Sequence, residues 1–189
     1  MNTIEANVVA EKTGHPEKWV DMYADYLFCF AMTRVHDGEL AKDLVQETFL
    51  AALEKIGCFE GRSSEKTWLT GILKNKIYDA YRRKLKNPVL AEGDRFFRES
   101  DGHWLIEQRP EPFVPAMEKL METKELQQSL QACIKKLPAG WLAIFTLKHL
   151  EDQSSDAICA TLKISHSNFW VIIHRAKLHL RACLQKKFN

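Results

Sequence analysis

The sequence predicts an all-α protein: two small helical domains joined by a flexible linker, the C-terminal one with a helix-turn-helix. Three observations predict it. Apolar residues recur at helical spacing through most of the 189 residues, and no segment shows the strict alternation of a half-buried strand. Over residues 88–115 that spacing fails and Gly93, Gly102, Pro110, Pro112 and Pro115 accumulate, across a length too great for an ordinary loop in one compact domain. Near the C-terminus a short amphipathic segment, a tight turn and a long basic segment follow in the order of a helix-turn-helix.

The elements follow in order. Trp19, Met22, Tyr23, Tyr26, Leu27 and Phe30 fall on one stripe of a first helix, which His36-Asp37-Gly38 breaks. Leu40, Leu44, Val45, Phe49, Ala52, Leu53 and Ile56 make a second stripe. Gly57 and Gly61 bracket a loop over 57–64, after which Ser63 or Ser64 can cap a third helix. That helix runs through Trp68, Leu69, Ile72, Leu73, Ile77, Ala80 and Tyr81 to about Lys86, and Asn87-Pro88 stops it because proline disfavours helix at the residue before it. The first domain is therefore residues 16–87 and the linker 88–116. The linker's Phe96, Phe97, Trp104 and Phe113 imply that it packs on something, since a solvated tether would be more polar. The second domain, 117–189, begins with Met117, Leu120 and Met121 leading into a helix through Leu130, Ile134 and Leu137. Pro138-Ala139-Gly140 turns the chain and Trp141 opens a helix ending near Leu150. Ser154-Ser155-Asp156 caps a short helix holding Ile158 and Leu162, Lys163-Ile164-Ser165 turns, and a last helix runs from His166 to about Lys186.

Net charge is only +2, but the charge is segregated. Residues 1–60 carry 5 basic and 11 acidic side chains, 65–86 carry 7 and 2, 87–128 carry 5 and 9, and 155–189 carry 6 and 1. Two basic blocks between acidic ones suit two points of contact with a polyanion, or two solvated helix faces. No apolar run approaches the ~20 residues of a membrane span, and the start lacks the basic and apolar regions of a secretory signal, so a cytoplasmic protein with no membrane insertion is expected. The five cysteines, Cys29, Cys58, Cys133, Cys159 and Cys183, are odd in number and widely spaced without CxxC; in a reducing compartment they read as small buried residues. No metal-ligand spacing, Walker loop, dinucleotide fingerprint or convergent catalytic set stands out, so no metal, no cofactor and no enzymatic activity are expected.

One family resemblance rests on particular strings. Asp43-Leu44-Val45-Gln46-Glu47-Thr48-Phe49, then Phe59-Glu60-Gly61-Arg62-Ser63, then Trp68-Leu69, Ile72, Asn75, Asp79 and Arg82-Arg83 resemble region two of bacterial RNA polymerase sigma factors of the extracytoplasmic-function class, within the sigma-70 family. The C-terminal helix-turn-helix, from Leu137-Pro138 to His174-Arg175-Ala176-Lys177, resembles region four. The resemblance covers roughly residues 20–86 and 117–185. It implies a subunit that binds core RNA polymerase, recognises and melts promoter DNA and directs initiation, in response to a stress or envelope signal. It places Asp43, Gln46 and Glu47 on core polymerase, where acidic groups suit a basic surface, and leaves Leu44 and Phe49 to the core.

The resemblance makes Phe59, Glu60, Gly61, Arg62 and Ser63 the loop that captures an unstacked base of the minus-ten element. Unstacking costs a few kcal/mol, which stacking and edge contacts offset. On the following helix Lys66, Lys74, Lys76, Arg82 and Arg83 would grip phosphates. Asn75 would bond a base or serve as a structural amide; Trp68 reads as core, and Tyr78 and Tyr81 stay open between core and stacking. In region four, Ser165, His166, Ser167 and Asn168 would meet base edges of the minus-thirty-five element, while Lys163, Arg175 and Lys177 reach its backbone. One departure stands out: Trp170 and Ile172 occupy positions where the family pattern carries basic residues. Either the grip is weaker and reads differently, or the core packing is shifted, or this face meets another protein, such as an anti-sigma factor. The competing function, a stand-alone helix-turn-helix regulator, explains residues 137–186 but leaves the strings of 40–86 as coincidence.

Overall fold

The structure, a computed structural model, describes residues 15–86 and 124–188. These form seven α-helices and two short 3-10 turns, with no strand among the described residues. The chain divides into two compact units, Met1–Ala80 and Tyr81–Asn189, so the last turn of the third helix counts with the second. The linker reading for 88–116, with Phe96, Phe97, Trp104 and Phe113, falls outside the described residues, as do Met117, Leu120 and Met121.

In the first unit a 3-10 turn, Pro16–Lys18, leads into α1 (Trp19–Val35), followed by α2 (Gly38–Glu54) and α3 (Glu65–Lys86). α1 ends at His36, which takes a left-handed conformation (φ 51°) and donates its N–H to Met32 O. Asp37 is extended, and its carboxylate accepts the Leu40 N–H at 3.1 Å. Two residues thus stop one helix and cap the next, a contribution of about 1 kcal/mol from the cap alone. The core is Trp19, Leu27, Ala31 and Val35 from α1, Ala41, Leu44, Val45 and Ala52 from α2, and Leu69, Leu73, Ile77 and Ala80 from α3. Thr48 is buried with them and gives its hydroxyl to Leu44 O at 2.7 Å, so no polar atom is stranded there.

The apolar stripes expected of α1 and α2 are rotated in part. Met22 and Tyr26 lie exposed beside Val20, and Leu53 lies exposed beside Leu50. α1 is apolar nearly all round, so its spacing cannot select the face that packs. Ala31 and Val35, not Met22 and Tyr26, are buried. Between α2 and α3 a 3-10 turn, Ile56–Cys58, passes into the loop, where Gly61 adopts φ 66°, a conformation that costs glycine little. Of the two candidate caps for α3, Ser64 is the one used: its Oγ accepts the Thr67 N–H at 3.2 Å.

The second unit holds α4 (Lys124–Ile134), α5 (Ala139–His149), α6 (Ser155–Leu162) and α7 (His166–Phe188). α5 is its hub, with Trp141, Leu142, Ala143, Ile144, Thr146 and Leu147 all buried. Ser154 Oγ caps α6 by accepting the Ala157 N–H. Lys163 ends α6 in a left-handed conformation, φ 57°. Ser165 Oγ then caps α7 by accepting the Asn168 N–H at 3.2 Å. On α7 Phe169, Ile172, Ile173, Ala176 and Leu180 face inward; fully burying Phe169 alone stabilises the unit by roughly 1.5–3 kcal/mol.

The cysteine reading needs correction. Cys133 on α4 and Cys183 on α7 form a disulfide, with Cα atoms 5.9 Å apart. Cys29 and Cys58 are exposed, and only Cys159 is a buried free thiol. Two cysteines 50 residues apart carry no spacing signal; the fold joins them by laying α4 along α7.

Candidate functional site

α2 turns Asp43, Gln46 and Glu47 to solvent, because Leu44, Val45 and Thr48 fill the opposite face. Leu50, 62% exposed, and Leu53 continue that outer face one and two turns beyond Gln46. Sequence reasoning missed Leu50 and placed Leu53 in the core; the available signal was that Leu50 lies off the buried stripe. Glu47 also bonds Lys76 Nζ at 3.2 Å, which ties α2 to α3. The family resemblance assigns these two residues to separate partners, polymerase and DNA; in the structure they pair with each other.

The loop before α3 hangs on aromatic rings. Phe59 packs on Trp68 with centroids 5.0 Å apart, and Trp68 meets Trp19 edge-on at 5.8 Å. Trp68 is half-buried rather than a full core residue. Glu60 and Arg62 pair across the Gly61 turn, and Ser63 is exposed beside them. The apolar member of the loop is therefore anchored while its polar members face water.

Along α3 the cations take different supports. Lys66 Nζ sits 3.7 Å from the Tyr26 ring centroid, and Lys74 Nζ is 5.8 Å from that of Phe30, whose ring Arg34 also covers at 3.5 Å. Asn75 and Arg83 are exposed. Arg82 is half-buried and donates its Nε–H to Thr161 O at 3.0 Å within the second unit. Tyr81 is a core residue, which settles its open reading, and Tyr78 is half-buried.

Glu65, the first residue of α3, was not foreseen. Its Oε1 accepts the His15 N–H at 2.5 Å and the Trp19 Nε1–H at 2.9 Å, and its Oε2 accepts the Tyr23 hydroxyl at 3.4 Å. Burial pushes this carboxyl up, but the bonds from Trp19, His15 and Tyr23 outweigh it and leave the pKa below the ordinary value. Tyr23 is raised by its own burial and by the Glu65 charge and hydrogen bond. An acid at a helix N-terminus also meets the positive end of the helix dipole, which was the one signal available in the sequence.

In the second unit the first turn of α7 presents His166, Ser167 and Asn168 to solvent, with Ser165 just before it. Ser165 Oγ also lies 3.1 Å from Ser167 Oγ. His166 Nε2 lies 3.6 Å from Asp156 Oδ1. Lys163 and Lys177 are exposed, and Arg175 is half-buried. The pair singled out as a departure separates. Ile172 is buried in the core, whereas Trp170 is 58% exposed. Val171 joins Trp170 on the outer face at 46% exposed. His149 is held below its usual pKa by burial, then by Lys177 and Lys148; His179 is held below by burial, then by Lys136 and Lys186.

Among the described residues no group of three histidine, cysteine or carboxylate side chains is placed to hold a metal ion. No described helix is long and apolar enough to cross a membrane.

Family models match both units: Sigma-70 region 2 over residues 19–86 and Sigma-70, region 4 over residues 127–180. A probable RNA polymerase sigma factor of Haemophilus influenzae is 35% identical over 167 residues, covering 85% of each chain. RNA polymerase sigma factor YlaC of Bacillus subtilis is 28% identical over 178 residues, 91% of this chain and 95% of that one. The ECF RNA polymerase sigma factor SigM of the same organism is 27% identical over 168 residues, 89% of this chain and 94% of that one.

Proposed function

The chain belongs to the sigma-70 family of RNA polymerase sigma factors, within its extracytoplasmic-function class, and on that premise we propose how its residues divide the work. A sigma factor binds core RNA polymerase and directs it to promoter DNA. The observation that carries this function is that one chain joins a region-two match to a region-four match, with a relative 35% identical across both. A stand-alone regulator would account for the second alone. The chemistry of chain synthesis belongs to the polymerase; this subunit selects and opens the template in the cytoplasm.

Asp43, Gln46 and Glu47, extended by Leu50 and Leu53, form the face of α2 that meets core polymerase. Exposed leucines ringed by acids supply apolar area at the centre of such a contact and orientation at its rim. Glu60, Gly61, Arg62 and Ser63 form the base-capturing loop, with Phe59 as its anchor on Trp68. The turn at Gly61 lets backbone approach the flipped base, and the ring stack keeps the loop from collapsing when the base leaves. Lys66, Lys74, Lys76, Arg82 and Arg83 supply phosphate contacts and Asn75 a base or backbone contact. Lys163, Arg175 and Lys177 flank the base-reading turn of α7, which Ser165, His166, Ser167 and Asn168 provide.

Open-complex formation with reconstituted holoenzyme tests this division. Arg83→Ala is expected to lower opening at every promoter alike and to reduce the salt slope by about 1, because a phosphate contact carries no sequence information. Asn168→Ala is expected to re-rank promoters that differ in the minus-thirty-five element. Equal loss at all of them would remove base reading from Asn168.

A further inference from the structure

On the first two turns of α7, rotation about the helix axis is fixed by what is buried. Phe169, Ile172, Ile173 and Ala176 point into the core. The opposite strip is Ser167, Trp170, Val171 and His174, at the i, i+3, i+4, i+7 spacing of a single exposed face. In a helix-turn-helix this is the face that enters the major groove. Its centre is apolar: Trp170 is 58% exposed and Val171 46%.

An exposed tryptophan and valine need a partner. Lys163 lies before this strip, and Arg175 and Lys177 lie after it. Residues 155–189 carry 6 basic side chains and 1 acidic one, Asp156, which sits 3.6 Å from the His166 ring. Cations at both ends with apolar surface between them match a duplex: phosphates at the edges, base edges in the middle. The only apolar group that the four ordinary bases show in the major groove is the C5-methyl of thymine. A protein partner for this patch would leave the flanking cations unexplained.

We propose that Trp170 and Val171 read thymine methyl groups in the minus-thirty-five element, so that this chain selects thymine at the centre of that element by apolar contact. The inference rests on α7 being the recognition helix of region four. It deepens that reading by naming the groups recognised. Two positions where the family resemblance leads one to expect basic residues thus become a core residue, Ile172, and a base reader, Trp170.

The test uses holoenzyme reconstituted with the full chain and a promoter fragment recovered by run-off from host genomic DNA. Thymines of the minus-thirty-five element are replaced by deoxyuridine, which removes the methyl and keeps every hydrogen-bonding edge. A second template carries deoxyuridine only in the spacer, and a third has a scrambled minus-thirty-five element. The expected result is a loss of about fourfold in open-complex formation for each methyl in contact, the value of one buried methylene-sized group. The spacer substitution should have no such effect. In Val171→Ala, and in Trp170→Ala, which also gives up an edge-on contact with the core ring of Phe169, the deoxyuridine penalty should shrink or vanish.

Two outcomes overturn the proposal while leaving the recognition helix in place. One is equal opening on thymine and deoxyuridine templates when scrambling abolishes it; the other is the same penalty in wild type and variants. A recovered minus-thirty-five element without thymine on either strand also overturns it. If scrambling itself changes nothing, the recognition-helix reading fails first. If Trp170→Ala weakens core-polymerase binding but not promoter choice, the patch is a protein contact and the proposal is wrong.

Discussion

In the first unit helix α3 is fastened at its N-terminus by one carboxylate: Glu65 receives the His15 amide, the Trp19 indole and the Tyr23 hydroxyl. In the second unit helix α7 is fastened near its C-terminus by a covalent bond, Cys183 to Cys133 on α4. Glu65 is half-buried and its fastening is hydrogen bonds from neutral donors to a charged carboxylate, so acid weakens it. The other is indifferent to acid and is broken by reduction. The units also differ in what they expose. α3 carries cations seated on aromatic rings or a carboxylate, while α7 carries a polar turn followed by exposed Trp170 and Val171. The lesson is that two helices of one chain can be held by interactions with separate failure conditions.

The comparison breaks most sharply at the disulfide. Cys133→Ser, or reduction of the wild type, is expected to destabilise the second unit by about 4 kcal/mol, the loop-closure value for a 50-residue separation. Hydrogen exchange on the full chain reads this by helix: protection should fall in α4 and α7 and stay constant in α1 and α2. Unchanged protection in α7 would show that the covalent fastening adds nothing to packing.

Glu65→Gln gives the next largest effect. Three bonds to a charged acceptor weaken at a partly solvated site, so roughly 1 kcal/mol is expected after screening. The loss should be confined to α1 and the N-terminus of α3. An equal loss of protection in α7 would remove the distinction between the units.

Acid separates the units more gently. His149 and His179 have lowered pKa values in the fold, so the unfolded chain binds protons more readily. Their contribution is full above the ordinary histidine value of about 6.5 and falls as pH drops below it. Glu65 is also depressed, so its contribution is full above the ordinary carboxylate value near ~4.3 and is lost only as pH falls through the folded value. Between pH 7 and 5 the second unit should therefore loosen by under about 1 kcal/mol while the Glu65 fastening of the first holds. Exchange profiles at the two pH values check it, and loosening of the first unit alone would contradict the assignment. The smallest effect is that of Lys76→Ala. Its pair with Glu47 is solvent-facing, so chemical unfolding should show less than about 0.5 kcal/mol.

How much of this was legible in the sequence depends on the interaction. The helices and the caps at Ser64 and Ser154 are local, and residue type with spacing announces them; Asp37 and Ser165, read only as part of a break and of a turn, prove to be caps as well. The loop over 57–64 was legible because Gly61 marks a turn between two periodic runs. What was missed is non-local. The Cys133–Cys183 bond, the convergence of three donors on Glu65 and the Glu47–Lys76 pair all join residues separated by 29 to 50 positions. The rotation of α1 was missed for another reason: a helix apolar on all sides has no pattern to orient it, so Tyr26 and Phe30 could not be seen as seats for Lys66 and Lys74. At Trp170 and Ile172 the anomaly was visible, but only the packing of Phe169 and Ile173 separates a core residue from a surface one.

Run-off transcription tests the central claim most directly. Full-length protein is mixed with bacterial core RNA polymerase and fragmented genomic DNA from its host. Discrete transcripts that depend on the added protein, from start sites sharing two elements at fixed spacing, are the expected result. No protein-dependent transcripts, together with no co-elution with core polymerase, would contradict it.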